Sequence, residues 1–284
     1  MSLTRATDEF LDGTIDSDTW DAKMYTRLQR RRRMRVITTR ILLIVVVLFT
    51  WEMASGRLVD EFWISKPSAV IRRAGTWLAD GTIAENLLYT LQSTVYGYVC
   101  GSIAGIALGF LLGRVRFLAE VLDPLILAVY SIPKIALAPL FILWFGIGMF
   151  SKVVIAAVTV FFLVFYNTYR GAREVDPDLI DAVRIMGGNR RQVLLGVVLP
   201  SSMVWIFTGL RIAIPYALTG AVVGEIVASN KGVGHMLKVS ANTFDTTGMF
   251  VMLGVLIVTS SIIFVVLNRV EKKQSGWSAT HLHD

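Results

Sequence analysis

The chain has 284 residues, of which 54% are hydrophobic and only 17% are charged, and its mean hydropathy is +0.61. Ordinary soluble domains carry about 25% charged residues, so this composition argues against a soluble globular protein and indicates an integral membrane protein. The net charge of +7 lies beside apolar runs and not on one basic face, which argues against nucleic-acid binding. A single cysteine, Cys100, excludes an internal disulfide and a cysteine-rich metal site, so we predict no metal.

Six apolar segments are long enough to cross the hydrocarbon core of a bilayer, which takes about 20 residues of helix. They lie at 37–54, 86–113, 121–146, 152–170, 201–228 and 248–268. We therefore predict an all-α integral membrane protein with six transmembrane helices. Its transmembrane domain would span 37–268, between an N-terminal tail at 1–36 and a C-terminal tail at 269–284. For the N-terminal tail, a solvated segment and a short amphipathic helix both fit the sequence.

The distribution of lysine and arginine predicts the orientation of the spans. If the N-terminus is inside, the inner flanks hold far more of these residues than the outer flanks, and cytoplasmic flanks are enriched in them. Both termini are therefore predicted to be cytoplasmic. The run Arg30–Arg33 before the first span resembles the start of a signal peptide, but the polar stretch ahead of it is too long, so we predict an uncleaved anchor. The stretch 65–80 is too polar to span and predicts an interfacial helix on the outer face.

The second span carries glycines at every fourth position, which places bare backbone along one stripe of a helix. In lipid such a stripe permits close helix approach. Two interpretations stay open, a helix that slides against its neighbour and a stripe that serves tight packing alone. The glycines are Gly97, Gly101, Gly105, Gly109 and Gly113.

The third span contains three prolines, Pro124, Pro133 and Pro139, and a lysine, Lys134, near its middle. Each proline removes a backbone donor and bends the helix, so this segment should lie beside protein or a cavity. A lysine in a span is expensive in lipid and is a candidate functional residue. The alternative is that Lys134 reaches the outer interface with its charged end.

A polar stretch interrupts the apolar sequence between the fourth and fifth spans. Asp176 is a suitable N-cap and Pro177 a suitable first residue for a short helix, which the pair Gly187–Gly188 would end. Asn189 with Gln192 then predicts a capping box for a second helix that leads into the next span. The first helix would carry an apolar face on its cytoplasmic side, and we expect that face to dock on a partner. The residues of this face are Leu179, Ile180, Val183 and Met186.

This stretch, at about 176–200, resembles the EAA loop of binding-protein-dependent ABC transporter permeases. That motif reads Glu-Ala-Ala, three residues, Gly, nine residues, a β-branched aliphatic residue, one residue and Leu-Pro. The chain has Asp181-Ala182-Val183, Gly187, Val197 and Leu199-Pro200 at the same spacing, with Asp in place of Glu and Val in place of the second Ala. The resemblance covers nearly all of 37–268. The stretches KPSAVI, SIPKIALAPLFILWFGIG and AVVGEIVASNKGVGHML resemble the nitrate/sulfonate/taurine subgroup.

The resemblance implies a permease with a type I importer-like fold in the bacterial inner membrane. It further implies a second permease copy as a homodimer partner, two ATPase subunits that hold ATP and Mg, and an external substrate-binding protein. The residues implied to couple the permease to the ATPase are Asp181, Ala182, Val183, Arg184, Gly187, Leu199 and Pro200.

The chain itself is not expected to be an enzyme or to carry a cofactor. A phosphate-binding loop needs Gly-Lys, and none of the 23 glycines is followed by lysine. Candidates for the translocation path are Ser131, Lys134, Asn167, Tyr216 and Glu225. Glu225 fits either a gate contact or a structural ion pair. Lys134 and Arg211 suit a small anionic solute such as a sulfonate, nitrate or bicarbonate.

Two other functions fit parts of the sequence less well. A secondary transporter or channel would need no ATPase partner, but it should show an internal repeat or several acids in its spans, and neither is evident. A membrane-anchored DNA-binding regulator would use 181–193 as a helix-turn-helix, but the adjacent span leaves no room for a duplex.

Overall fold

The computed structural model describes the backbone of residues 17–274 and the side chains of 32–115, 121–266 and 269. The predicted tails at 1–36 and 269–284 therefore lie partly outside the described residues. Within the described part, regular secondary structure is helical, apart from one isolated bridge between Ser55 and Val59. The chain forms two compact units, Met1–Ser68 and Ala69–Asp284.

The helices are, in chain order, α1 Ser17–Ala54, α2 Pro67–Ala79, α3 Thr82–Arg114, α4 Arg116–Ser131, a 3-10 turn Lys134–Leu137, α5 Ala138–Phe145, α6 Met149–Arg173, α7 Pro177–Ile185, α8 Arg190–Val193, a π-helical turn Leu194–Val198, α9 Leu199–Val227, α10 Val233–Asn242 and α11 Thr246–Gln274.

Five of the described helical segments are long and apolar enough to cross a membrane. They are Arg32–Ala54, Thr82–Arg114, Met149–Arg173, Arg190–Val227 and Thr246–Val266. The predicted third span is broken into Val121–Ser131 and Lys134–Phe145, which are bent by 77°. If this pair is counted as one span there are six, and the predicted all-α integral membrane fold is confirmed. Helix α1 begins at Ser17, so helical backbone extends into the predicted N-terminal tail.

In the first unit, the residues that follow α1 are linked by short polar contacts. Glu52 on α1 accepts hydrogen bonds from the backbone nitrogen of Ser68 at 3.0 Å and from its hydroxyl at 2.7 Å. The Ser55 hydroxyl donates to the Ile64 carbonyl at 2.5 Å. Lys66 and Glu61 form an exposed ion pair of 2.5 Å. These contacts close the connection between the first span and α2.

Helix α6 packs in parallel along α3 through the glycine stripe. A Cβ atom on Gly97 would lie 2.4 Å from Ala156 Cβ, and one on Gly113 would lie 2.7 Å from the Tyr169 carbonyl oxygen. The three glycines between them also meet the α6 backbone, with Gly101 facing the Ala157 carbonyl oxygen at 2.4 Å. All five glycines are buried, and the two backbones approach more closely than any side chain would allow.

Helix α9 packs antiparallel against α6, again through small residues. A Cβ atom added to any of four glycines, one on α6 and three on α9, would come within 3.3 Å of the facing helix. Each step along α6 is matched by an equal step along α9, so the two helices form a hairpin packed over its whole length. The facing pairs are Gly171 with Trp205, Gly209 with Asn167, Gly220 with Ala156, and Gly224 with Lys152.

This packing explains why the bent pair α4–α5 counts as one crossing. Because α3 and α6 run parallel and in contact, the chain between Arg114 and Met149 must return across the same thickness. Pro133 lies in the break and Pro139 lies at the start of α5, and each lacks the backbone donor that a continuous helix needs. The predicted bending of the third span by proline is thus confirmed, and its two halves meet at an angle of 77°.

The end at which α3 and α6 begin is covered by short helices. Val233 and Leu237 of α10, Met252 of α11 and Ile83 of α3 form a buried apolar cluster. Trp77 of α2 packs against this cluster, as the helical prediction for 65–80 requires. The opposite end carries α7, α8 and the connection from α6 to α9.

We expect Gly101→Ala to destabilise the protein, because the added methyl group would meet the Ala157 carbonyl oxygen at 2.4 Å. Overpacking of this kind typically costs about 1–3 kcal/mol. The matched control is Gly254→Ala on α11, where a Cβ has no heavy atom within 4 Å. Thermal unfolding in detergent should show a lower midpoint for Gly101→Ala only. Equal midpoints for the two variants would contradict close α3–α6 packing.

Candidate functional site

The connection between α6 and α9, residues 174–198, forms a compact two-helix loop that we call the coupling loop after the role predicted for it from the sequence. Asp176 caps α7, since its side chain accepts a hydrogen bond from the Asp178 nitrogen at 2.9 Å, and Pro177 is the first helical residue. Both features confirm the sequence prediction. An N-cap of this type stabilises a helix by about 1 kcal/mol, so a helix this short gains a defined starting point.

Two glycines reverse the chain after α7. Gly187 has φ of +81°, in the left-handed region that only glycine adopts freely. Its nitrogen donates to the Arg184 carbonyl at 2.9 Å, and the Gly188 nitrogen donates to the Val183 carbonyl at 2.9 Å. The predicted capping box follows at once: Asn189 and Gln192 exchange side-chain to backbone hydrogen bonds of 2.8 and 2.9 Å. The turn is therefore fixed by its own hydrogen bonds.

One side of the coupling loop packs against the transmembrane helices. Val175, Val193 and Val198 are buried, and Ile180 and Val183 of α7 pack on them together with Phe110 of α3. The other side is exposed, with Leu179, Ile185 and Met186 exposing 51%, 87% and 79% of their surface. The predicted apolar face is wrong in this detail, because Ile180 and Val183 point to the protein while Leu179 and Met186 point away.

The structure places the remaining predicted coupling residues around this loop. Asp181, Ala182 and Arg184 are exposed on α7, and Arg184 pairs with Asp181 at 3.2 Å. Leu199 and Pro200 begin α9. Pro200 offers no nitrogen to the preceding turn, and the helix widens there into the π-helical turn Leu194–Val198.

A polar cluster that the sequence analysis did not single out lies beside the coupling loop. Asp123 of α4 accepts hydrogen bonds from Arg173 at 2.7 Å and from the Tyr169 hydroxyl at 3.1 Å, both on α6. Arg170 and Glu174 pair at 2.5 Å on the same side. These residues line a cavity of about 790 Å³. The cluster joins the broken third span to the end of α6 from which the coupling loop departs.

The five predicted path residues lie in separate places. Ser131 is exposed and donates to the Leu127 carbonyl at 2.8 Å. Lys134 lies at the break of the third span, where its ammonium donates to the Tyr130 carbonyl. The same ammonium lies 4.4 Å from the Tyr130 ring centroid and 5.3 Å from that of Phe162 on α6. Lys134 therefore contacts two aromatic rings between the third span and α6.

Asn167 and Tyr216 lie on the α6–α9 hairpin. Asn167 faces Gly209 and donates to the Leu163 carbonyl at 2.8 Å. Tyr216 is half exposed and lines a largely apolar cavity of about 620 Å³ between α9 and α11. Arg211 and Ser261 line the same cavity. The structure thus brings Tyr216 and Arg211 to one cavity, with Arg211 about one turn before Pro215 and Tyr216 directly after it.

Glu225 is fully buried near the end of α9. One carboxylate oxygen, Oε2, accepts hydrogen bonds from the Thr90 hydroxyl and from the Gly234 nitrogen, both at 2.9 Å. Lys152 of α6 is also fully buried, and its stem lies beside Gly224, the residue before Glu225. Lys152 was not among the residues predicted for the site. The sequence signal that could have indicated its burial was its position at the start of a predicted span, 152–170, together with the acid Glu225 near the end of the span 201–228.

Comparison with known proteins agrees with this architecture. Residues 101–275 match the model of the family described as binding-protein-dependent transport system inner membrane component. The riboflavin transport system permease protein RibX of Chloroflexus aurantiacus is 35% identical over 77% of this chain and 82% of its own length. The formylaminopyrimidine transport permease protein ThiX of Halalkalibacterium halodurans is 30% identical over 83% and 94%. The taurine transport system permease protein TauC of Escherichia coli is 26% identical over 88% and 91%.

Solved structures share the fold. An inward-facing structure of the MetNI methionine ABC transporter aligns with a TM-score of 0.54 and 22% identity, over 69% of this chain and 96% of the matched chain. An amino acid ABC transporter aligns with a TM-score of 0.57 and 17% identity, over 70% and 97%. The chain therefore belongs to the family of binding-protein-dependent transport system inner membrane components, as the multi-pass permease subunit of an ABC importer.

Proposed function

We propose that two copies of this chain form the translocation path of an ATP-driven importer in a bacterial inner membrane. Two ATPase subunits bind the coupling loops on the cytoplasmic side and hold ATP and Mg. An external binding protein delivers a small organic solute that carries an anionic group. The observation that carries this proposal is the coupling loop, whose fixed backbone presents an exposed apolar end beyond the transmembrane helices.

The geometry of the loop suits the transfer of motion. Exposed Ile185 and Met186 form a contact that a partner can bury, because apolar groups left in water favour docking. The inner side of the loop is packed on α3, and the buried Ser202 hydroxyl of α9 donates to the Gly171 carbonyl of α6 at 3.1 Å. A partner that moves the loop therefore moves both helices at once.

The class of solute is proposed from the charges within the spans. Lys134 and Arg211 place two cations in the membrane segments that line the break and the α9–α11 cavity. Charged groups at such positions favour passage of the opposite charge. Taurine, named for one relative, carries a sulfonate, whereas riboflavin and formylaminopyrimidine, named for two others, are heterocycles.

The solute class is tested by uptake into proteoliposomes that contain the complete importer with its ATPase and binding protein. An alkylsulfonate, taurine, riboflavin and formylaminopyrimidine serve as labelled solutes, with and without ATP. We expect ATP-dependent uptake of a sulfonate. Uptake of a heterocycle alone would contradict the anionic solute but keep the importer, whereas uptake that is independent of ATP would favour a secondary transporter or channel.

We expect Ile185→Asp to abolish stable binding of the ATPase, because a charge at the centre of a buried apolar contact loses its hydration. A residue central to an interface contributes more than about 1.4 kcal/mol, which is a tenfold change in affinity. The measurement is co-purification of the ATPase with the permease. Leu58→Asp is the control, since Leu58 is equally exposed, at 84%, in the connection after the first span. Retained binding in Ile185→Asp would contradict docking through this face.

We expect Gly187→Val to insert normally in the membrane but to lose transport, because valine is strained at φ of +81°. Gly187→Asn is the matched variant, since asparagine tolerates the left-handed region. A Cβ at this position meets no heavy atom within 4 Å, so both variants test the backbone and not the packing. Solute uptake should be lost in the first and largely kept in the second. Normal uptake by Gly187→Val would show that the turn geometry is not needed.

A further inference from the structure

The α6–α9 hairpin is joined at both ends, and the far end holds two buried charges. At the near end the coupling loop connects the helices. At the far end Lys152 of α6 and Glu225 of α9 are both fully buried, and the Lys152 stem packs against Gly224. A Cβ on Gly224 would lie 3.3 Å from Lys152 Cγ, so glycine leaves room for the lysine to pass along α9.

The carboxylate of Glu225 organises the segment that follows α9. Besides Thr90, it binds the Gly234 nitrogen, and a Cβ on Gly232 would lie 2.3 Å from its Cδ atom. The chain can wrap this closely only because residue 232, at φ of +110°, is glycine. The Gly232 nitrogen in turn donates to Asn86 of α3 at 2.8 Å. We call residues 229–234 the outer segment.

The two buried charges are each incompletely satisfied by other groups. Lys152 makes one hydrogen bond, a long one of 3.4 Å to the Ser151 hydroxyl. The second oxygen of Glu225, Oε1, has no hydrogen-bond partner although it is buried. A buried charge without a partner costs several kcal/mol, and the two groups carry opposite charges. Among the described residues no ion pair shorter than 4 Å joins the two groups, so their opposite charges attract each other across a longer gap in the α6–α9 interface, where burial weakens screening.

We propose that Lys152 and Glu225 are positioning residues that lock the outer ends of α6 and α9 and transmit movement of the coupling loop to the outer segment. This rests on the proposed function, because the movement originates in the ATPase. A partner that displaces the loop displaces the hairpin as one body. Glu225 then carries the outer segment with it through the Gly234 nitrogen and Thr90, while the lysine prevents the two helices from shearing.

The test is a double-mutant cycle with Lys152→Met, Glu225→Gln and both together, in the complete importer. Glutamine keeps an acceptor for Thr90 and Gly234, so the hydrogen bonds survive while the charge is lost. Each single variant should lower the solute moved per ATP hydrolysed by at least tenfold and still co-purify with the ATPase. The double variant should recover at least half of the loss, because no unpaired charge remains. Additive losses would overturn the proposal.

A second readout separates transmission of movement from stability. In a Cys100→Ser background, Asn230→Cys places a thiol on the exposed part of the outer segment. ATP should change its rate of labelling by a membrane-impermeant maleimide at least threefold in the otherwise unmodified chain. That change should disappear in Lys152→Met while ATP hydrolysis persists. Persistence of the ATP-dependent change in Lys152→Met would overturn the proposal even if transport fell.

The matched control is the exposed pair Lys66–Glu61, which has the same residue types at 2.5 Å. Lys66→Met and Glu61→Gln should change transport per ATP less than twofold, since exposed ion pairs contribute little. If the proposed function itself is wrong, the unmodified complex will transport solute without ATP, which is a different result from those above. The Lys152–Glu225 coupling would even then appear in the thermal unfolding midpoints, without ATP, of the unmodified chain, the two single variants and the double variant. A midpoint shift in the double variant equal to the sum of the two single shifts would overturn it.

Discussion

The close approach of backbones on both sides of α6 is the constraint on which the second unit depends. In lipid, apolar side chains gain little by leaving their surroundings, so helices associate through van der Waals packing and polar contacts. Glycines of α3 pack closely against one side of α6, and Gly209, Gly220 and Gly224 of α9 pack closely against the other. The three helices therefore form one closely packed layer, and a movement of one helix against another would have to break these contacts.

The proposed coupling role requires that a movement of this small loop reach the whole layer. The coupling loop is anchored in the layer by Val193 and Val198 and is closed by the Ser202 hydroxyl on the Gly171 carbonyl. Its turn is fixed by Gly187 and by a complete capping box, so little of an applied displacement is lost in bending the loop itself. At the opposite end, hydrogen bonds from Thr90 and Gly234 to Glu225 extend the same body to the connection between α9 and α10.

The sequence predicted well those structural features that depend on nearby residues. The glycine period, the Asp176 cap and the capping box at Asn189 depend on neighbours within a few residues. The inward direction of Ile180 and Val183 was missed because it depends on Val175, Val193 and Phe110, which form the surface under α7. Lys152 was missed because a lysine near a span end usually reaches water. Its burial is decided by Gly224 and Glu225, which no pattern near Lys152 reveals.

At the break in the third span, Lys134 has a structural contact in addition to the role in solute recognition that we propose for its charge. In a continuous helix the Tyr130 carbonyl would accept the nitrogen of residue 134, but the chain leaves helical geometry at Ile132 and Pro133. The Lys134 ammonium takes that place, held between the rings of Tyr130 and Phe162. An anion that binds Lys134 must compete with this carbonyl. Anion binding at the break and closure of the break by Lys134 therefore oppose each other, which ties recognition at this position to the conformation of the span.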